Sequence, residues 1–187
     1  MDVNLRRRVE GWAFLVLFAA TIPLANWMVG NVGTVCVADG PCLVPVAPHL
    51  QAPSGVLMIG IALVLRDLVQ RRLGAIVAVG AIVLGAALSA AVAPPSLVIA
   101  SAVAFLMSEL ADFAVYTPLQ RRRFVTAVVA SGLVGLVIDS VVFLELAFGS
   151  LEFLAGQILG KAWMIALALP TVSWLRRRDA RLGLAPA

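Results

Sequence analysis

The sequence is a succession of apolar runs, each about the length that a helix needs to cross a bilayer. Six occur, at approximately 11–30, 54–70, 73–93, 96–117, 124–146 and 150–175. About 20 apolar residues span the hydrocarbon core, and backbone groups in lipid must bond within their own segment, so runs of this length predict α-helices. The expected fold class is an all-α membrane protein, a six-transmembrane-helix bundle. Composition agrees: 62% of the residues are hydrophobic, mean hydropathy is +1.04 and only 13% are charged. A water-soluble fold must cover its outside with polar groups, and this chain has too few. The length of 187 residues suits a single six-helix membrane domain over 1–187. The second run is the weakest, because Arg66 and Asp67 interrupt it.

Arginines set the expected orientation. They gather at Arg6–Arg8, Arg66/Arg71/Arg72, Arg121–Arg123 and Arg176–Arg178 with Arg181, at the ends of runs. All four groups fall on one side if the chain crosses six times. The opposite loops, about 31–52, 94–95 and 147–150, contain no Lys or Arg. The positive-inside rule then places both termini in the cytoplasm. The same distribution, rather than the net charge of +4, speaks against a nucleic-acid partner. The first run is expected to be a retained span and not a signal peptide, since no small-x-small cleavage site follows it.

Charge inside these runs is costly, at about 2.5–3.5 kcal/mol for an acid or base at mid-helix, and marks functional candidates. Glu109, Asp112 and Tyr116 stand at i, i+3 and i+7 on one face of the fourth run. Asp139 and Phe143 share a face of the fifth, and Gln157, Lys161 and Met164 a face of the sixth. Asn26 and Trp27 lie near the outer end of the first. Lys161 is placed to pair with Asp139 or Glu109, yet one lysine cannot balance three carboxylates. Arg66–Asp67, at the inner end of its run, reads either as a solvated helix-end pair or as part of a site.

Such a cavity suits a polar small molecule. Carboxylates accept from adjacent N–H donors, as on the edge of a guanine-like ring; Lys161 or Gln157 would meet a carbonyl, and aromatic faces would stack. A cationic amine or a vitamin ring satisfies the same logic. No cofactor and no metal are implied, because His49 is the only histidine and no second Cys pair exists. Cys36 and Cys42, in an outside loop, either form a disulfide or stand as two small apolar residues. Small residues at helical spacing, such as Ala81, Gly85 and Ser89, allow close helix packing.

The stretches "ANWMV" (25–29), "RDLVQRRLG" (66–74), "SELADFAVYTPLQRRR" (108–123), "DSVVFLELAFG" (139–149) and "QILGKAW" (157–163) resemble the vitamin-uptake-transporter family of bacterial inner-membrane proteins, the queuosine precursor transporters. The resemblance implies a fold similar to the substrate-binding subunits of energy-coupling-factor importers. It also implies uptake of 7-cyano-7-deazaguanine or its aminomethyl relative, and a polar set of Asn26, Asp67, Asp112, Asp139 and Lys161. With the residues read from spacing, the candidate substrate site is Asn26, Trp27, Asp67, Glu109, Asp112, Tyr116, Asp139, Phe143, Gln157 and Lys161. Glu109 and Gln157 depart from the family pattern. The expected partners are a deazaguanine-type base, the lipid bilayer, and a second copy or an energy-coupling protein. The chain contains no G-x-x-x-x-G-K-[ST] loop, so an ATP-driven importer would draw on another protein for hydrolysis. A membrane enzyme acting on lipid is the weaker alternative, for want of a metal-ligand cluster or a Ser/His pairing.

Overall fold

The computed structural model describes residues 3–38 and 40–183. Among them are six helices: α1 (Val3–Asn31), α2 (Val56–Leu73), α3 (Ala75–Val92), α4 (Val98–Leu119), α5 (Phe124–Phe148) and α6 (Leu154–Leu182). Five of them, all but α2, are long and apolar enough to cross a membrane. Short connections join α2 to α6 in turn, the longer stretch 32–55 joins α1 to α2, and successive helices pack against each other in alternating direction. One end of the bundle collects the arginines; the other carries a small sheet. Glycines close two helices in the left-handed conformation that L side chains avoid, at Gly149 (φ 60°) and Gly183 (φ 65°).

The bundle's outside is apolar. Leu84 is 72% exposed, Ile99 73% and Leu167 68%. Surface of this kind is solvated by lipid chains rather than water. α2 differs because its neighbours are protein. It packs against each of the other five helices and buries Arg66, Asp67, Gln70, Arg71 and Arg72 beside Leu63, Val64, Leu68 and Val69. A central helix needs no lipid-compatible surface, which is why α2 reads as the poorest span. Its Leu63, Val64 and Leu68 join Tyr116, Leu136, Ile165 and Val172 in the main core cluster. At Gly60 a Cβ would lie 2.8 Å from the backbone oxygen of Lys161, so only glycine lets α2 and α6 approach this closely.

At the arginine end, ion pairs join α1, α2 and α6. Arg72 grips Asp179 with both terminal nitrogens (2.8 and 2.9 Å) and Glu10 through Nε (3.0 Å). Arg178 donates to the same Glu10 at 2.6 Å, and the Arg71 guanidinium lies 4.0 Å over the Phe124 ring of α5.

The helix-only expectation misses the sheet. Strands β1 (Val35–Cys36), β2 (Cys42–Ala47) and β3 (Leu50–Pro53) form an antiparallel sheet in that order. The stretch is rich in valine and carries turn residues, a strand signal that its reading as an outside loop passed over. Pro45 sits in the central strand beside a register shift, where a missing N–H is tolerated. Cys36 and Cys42 face each other across β1 and β2 and are joined by a disulfide.

The sheet lies on α6. Trp163 Nε1 donates to Val46 O at 3.2 Å, and a Cβ built on Gly156 would sit 2.0 Å from Gln51 O. Gly156→Ala is therefore expected to push β3 off the helix at a cost of about 1–3 kcal/mol, the usual range for overpacking. A lowered melting temperature of the purified protein checks it; an unchanged one would mean that the sheet yields freely.

Candidate functional site

Polar side chains inside the bundle form two groups. The first faces a pocket at the sheet end. All six helices contribute: Ile22, Asn26 and Val29 from α1, Val56 and Ile59 from α2, Ser89 from α3, Ser101 and Phe105 from α4, Asp139 and Phe143 from α5, and Gln157 and Lys161 from α6. Ala25 of α1, Pro53 and Gly55, leading into α2, and Pro94 and Leu97, leading into α4, complete the lining.

Lys161 organises this pocket. Its Nζ donates to Asp139 Oδ2 (2.6 Å), Ser140 Oγ (2.8 Å) and Gln157 Oε1 (2.7 Å). An ammonium has three N–H groups, and these contacts use all of them. Lys161 is thus a positioning residue. With one Asp139 oxygen on the ammonium, Oδ1 is left to accept; with Gln157 Oε1 likewise held, the amide Nε2 is left to donate. Asn26 Nδ2 donates to Ile22 O at 3.0 Å, which leaves Oδ1 as a further acceptor. Phe143 and Phe105 add aromatic faces.

The second group lies deeper, in mid-bundle, around Arg66. Its guanidinium is fully buried and reaches four side chains. Nε donates to Glu109 Oε2 (3.0 Å), Nη1 to Gln70 Oε1 (3.1 Å), and Nη2 to Asp112 Oδ1. Nη1 also lies 3.0 Å from Asp67 Oδ1, and the rings of Phe113 and Tyr116 flank the cation at 5.9 and 5.7 Å. Ser131 Oγ of α5 donates to Asp67 Oδ2 at 3.1 Å, and Gln70 Nε2 to Thr117 Oγ1 at 2.9 Å. One guanidinium thus faces three carboxylates.

The ten candidate residues divide accordingly. Asn26, Asp139, Phe143, Gln157 and Lys161 meet at the pocket. Asp67, Glu109, Asp112 and Tyr116 are buried but belong to the Arg66 group, and none of them lines the pocket. The shared face of Glu109, Asp112 and Tyr116 turns towards α2 instead. Arg66 and Asp67 are not a solvated helix-end pair, because α2 runs through the centre and both are inaccessible. Trp27 is 55% exposed on the outer side of α1 and lies outside the pocket. Successive residues on a helix point about 100° apart, so a helix that turns Asn26 inward turns Trp27 towards lipid. Sequence reasoning took Ser89 for a helix-packing residue only, and it missed Ser101, Phe105 and Ser140, small polar or aromatic residues without a distinguishing pattern.

Residues 89–175 match a family model described as "Putative vitamin uptake transporter". The match begins at the end of α3, takes in α4 and α5, and reaches Leu175 in α6. It contains Glu109, Asp112, Asp139, Gln157 and Lys161, whereas α1, the sheet and α2 lie outside it. No curated protein and no solved structure matches the chain. Over α4 to α6, then, this multi-pass helical membrane protein is similar to a family of vitamin uptake transporters.

Proposed function

We propose that the protein is a transporter that takes up a deazaguanine-type base, a queuosine precursor such as 7-cyano-7-deazaguanine or 7-aminomethyl-7-deazaguanine, across the bacterial inner membrane. All six helices span as one domain, with both termini in the cytoplasm. The base enters from the sheet end and lies in the pocket between Phe143 and Phe105. The observation that carries the reading is the Asp139–Lys161–Gln157 arrangement. Three hydrogen bonds fix the ammonium, so Asp139 Oδ1 and Gln157 Nε2 are presented together as an acceptor beside a donor. A lactam edge, with its ring N–H next to its carbonyl, offers the complementary pair.

The experiment is thermal stabilisation of the purified protein by guanine, the two deazaguanines and a set of unrelated vitamins. A ligand bound only by the folded state stabilises it by about 2.7 kcal/mol at 100 times its Kd. A rise with the deazaguanines alone is expected. A rise with one of the vitamins instead would replace the substrate class. Uptake by this chain in a host without energy-coupling proteins is also expected; uptake that requires a coupling ATPase would make it a binding subunit.

A further inference from the structure

The charges of the two groups have a consequence for selectivity. Among the described residues that line the pocket, Asp139 and Lys161 are the charged ones, and they stand 2.6 Å apart. Their formal charges cancel. The other three mid-bundle carboxylates are absent from the lining: Glu109, Asp112 and Asp67 are gathered on Arg66. The pocket therefore presents dipoles and one self-compensated pair, not a free carboxylate.

An ammonium-bearing ligand fares badly in such a place. It would leave water for a site whose single acid already holds a cation, and two ammonium groups would crowd one carboxylate. Burying a charge without its own partner is expensive, whereas an uncharged base that matches a donor and an acceptor leaves nothing unpaired. We infer that the pocket selects uncharged planar bases over bases carrying an ammonium group, and that the Asp139–Lys161 pair sets this selectivity. The inference rests on the transport reading above and adds the charge of the substrate to it.

Two probes of similar shape separate the cases: 7-cyano-7-deazaguanine is uncharged, and the primary amine of 7-aminomethyl-7-deazaguanine is protonated at neutral pH. Calorimetric binding to the purified protein is expected to favour the cyano form at least tenfold. Lys161→Gln leaves Asp139 without its cation and should shift the ratio at least tenfold towards the aminomethyl form. The double variant Asp139→Asn with Lys161→Gln keeps the pocket uncharged and should retain the wild-type preference, even at lower affinity. A ratio is read within each variant, so lower overall stability does not mask it. Tighter or equal binding of the aminomethyl form by the wild type overturns the inference and leaves the transport reading standing. So does a ratio that Lys161→Gln fails to move. Binding of neither base overturns the transport reading and this inference with it.

Discussion

Arg66→Met is expected to destabilise the protein by about 3–5 kcal/mol, the cost of stranding buried charge when one partner of an ion pair is removed. The guanidinium contacts Glu109, Asp112, Asp67 and Gln70 with no access to solvent. Methionine fills much of the volume but removes every donor, and three carboxylates then face one another in mid-bundle. Arg66→Lys should recover only part of the loss, because a compact ammonium cannot span the four acceptors that a planar fork reaches. Unfolding of the purified protein by denaturing detergent, or the amount of folded protein recovered from membranes, measures the effect. A change below about 1 kcal/mol would mean that the carboxylates do not depend on Arg66. Combining Arg66→Met with Asp112→Asn and Glu109→Gln should restore much of the stability, since the acids lose their charge together with the base.

The same residue shows what a linear reading could and could not see. Arg66 stands close to Arg71 and Arg72 in the sequence, so it reads as part of a boundary cluster, and the run that contains it reads as short. Both impressions follow from assuming that every span faces lipid. Only the packing of the other helices around α2 makes a charged face tolerable there. By contrast, α4 and α5 were legible because lipid-facing helices must be apolar along most of their length, and their isolated acids stood out. Depth and charge left Lys161 to pair with Asp139 or Glu109, and the structure chooses Asp139. The division of the acids between two groups did not, for helical spacing gives the face of a residue but not the helix that it meets. Val35 to Pro53 carried its strand signal in plain view, in valines and turn residues, under the expectation of a helix-only fold.

Lys161→Met is the second large effect. It strands Asp139 and releases Gln157 and Ser140, again at about 3–5 kcal/mol for a buried carboxylate without its partner. Asp139→Asn removes the opposite charge and should cost a similar amount, because the ammonium of Lys161 is itself 1% exposed. If the two act as a pair, the double variant Asp139→Asn with Lys161→Met destabilises far less than the sum of the single exchanges, because replacing both partners of a buried ion pair together leaves no stranded charge and is often close to neutral. Additive losses would mean that each side chain is held by other neighbours. Ligand binding should not follow stability. The double variant recovers a folded bundle, yet asparagine cannot reproduce the carboxylate acceptor and Gln157 loses the bond that orients its amide. Affinity for the base is therefore expected to stay about 10- to 100-fold below wild type, as one or two charge-assisted hydrogen bonds would give. A double variant that regained both stability and affinity would show the pair to be a structural tie between α5 and α6 and nothing more. A variant that regained stability alone would place Asp139 and Gln157 against the ligand.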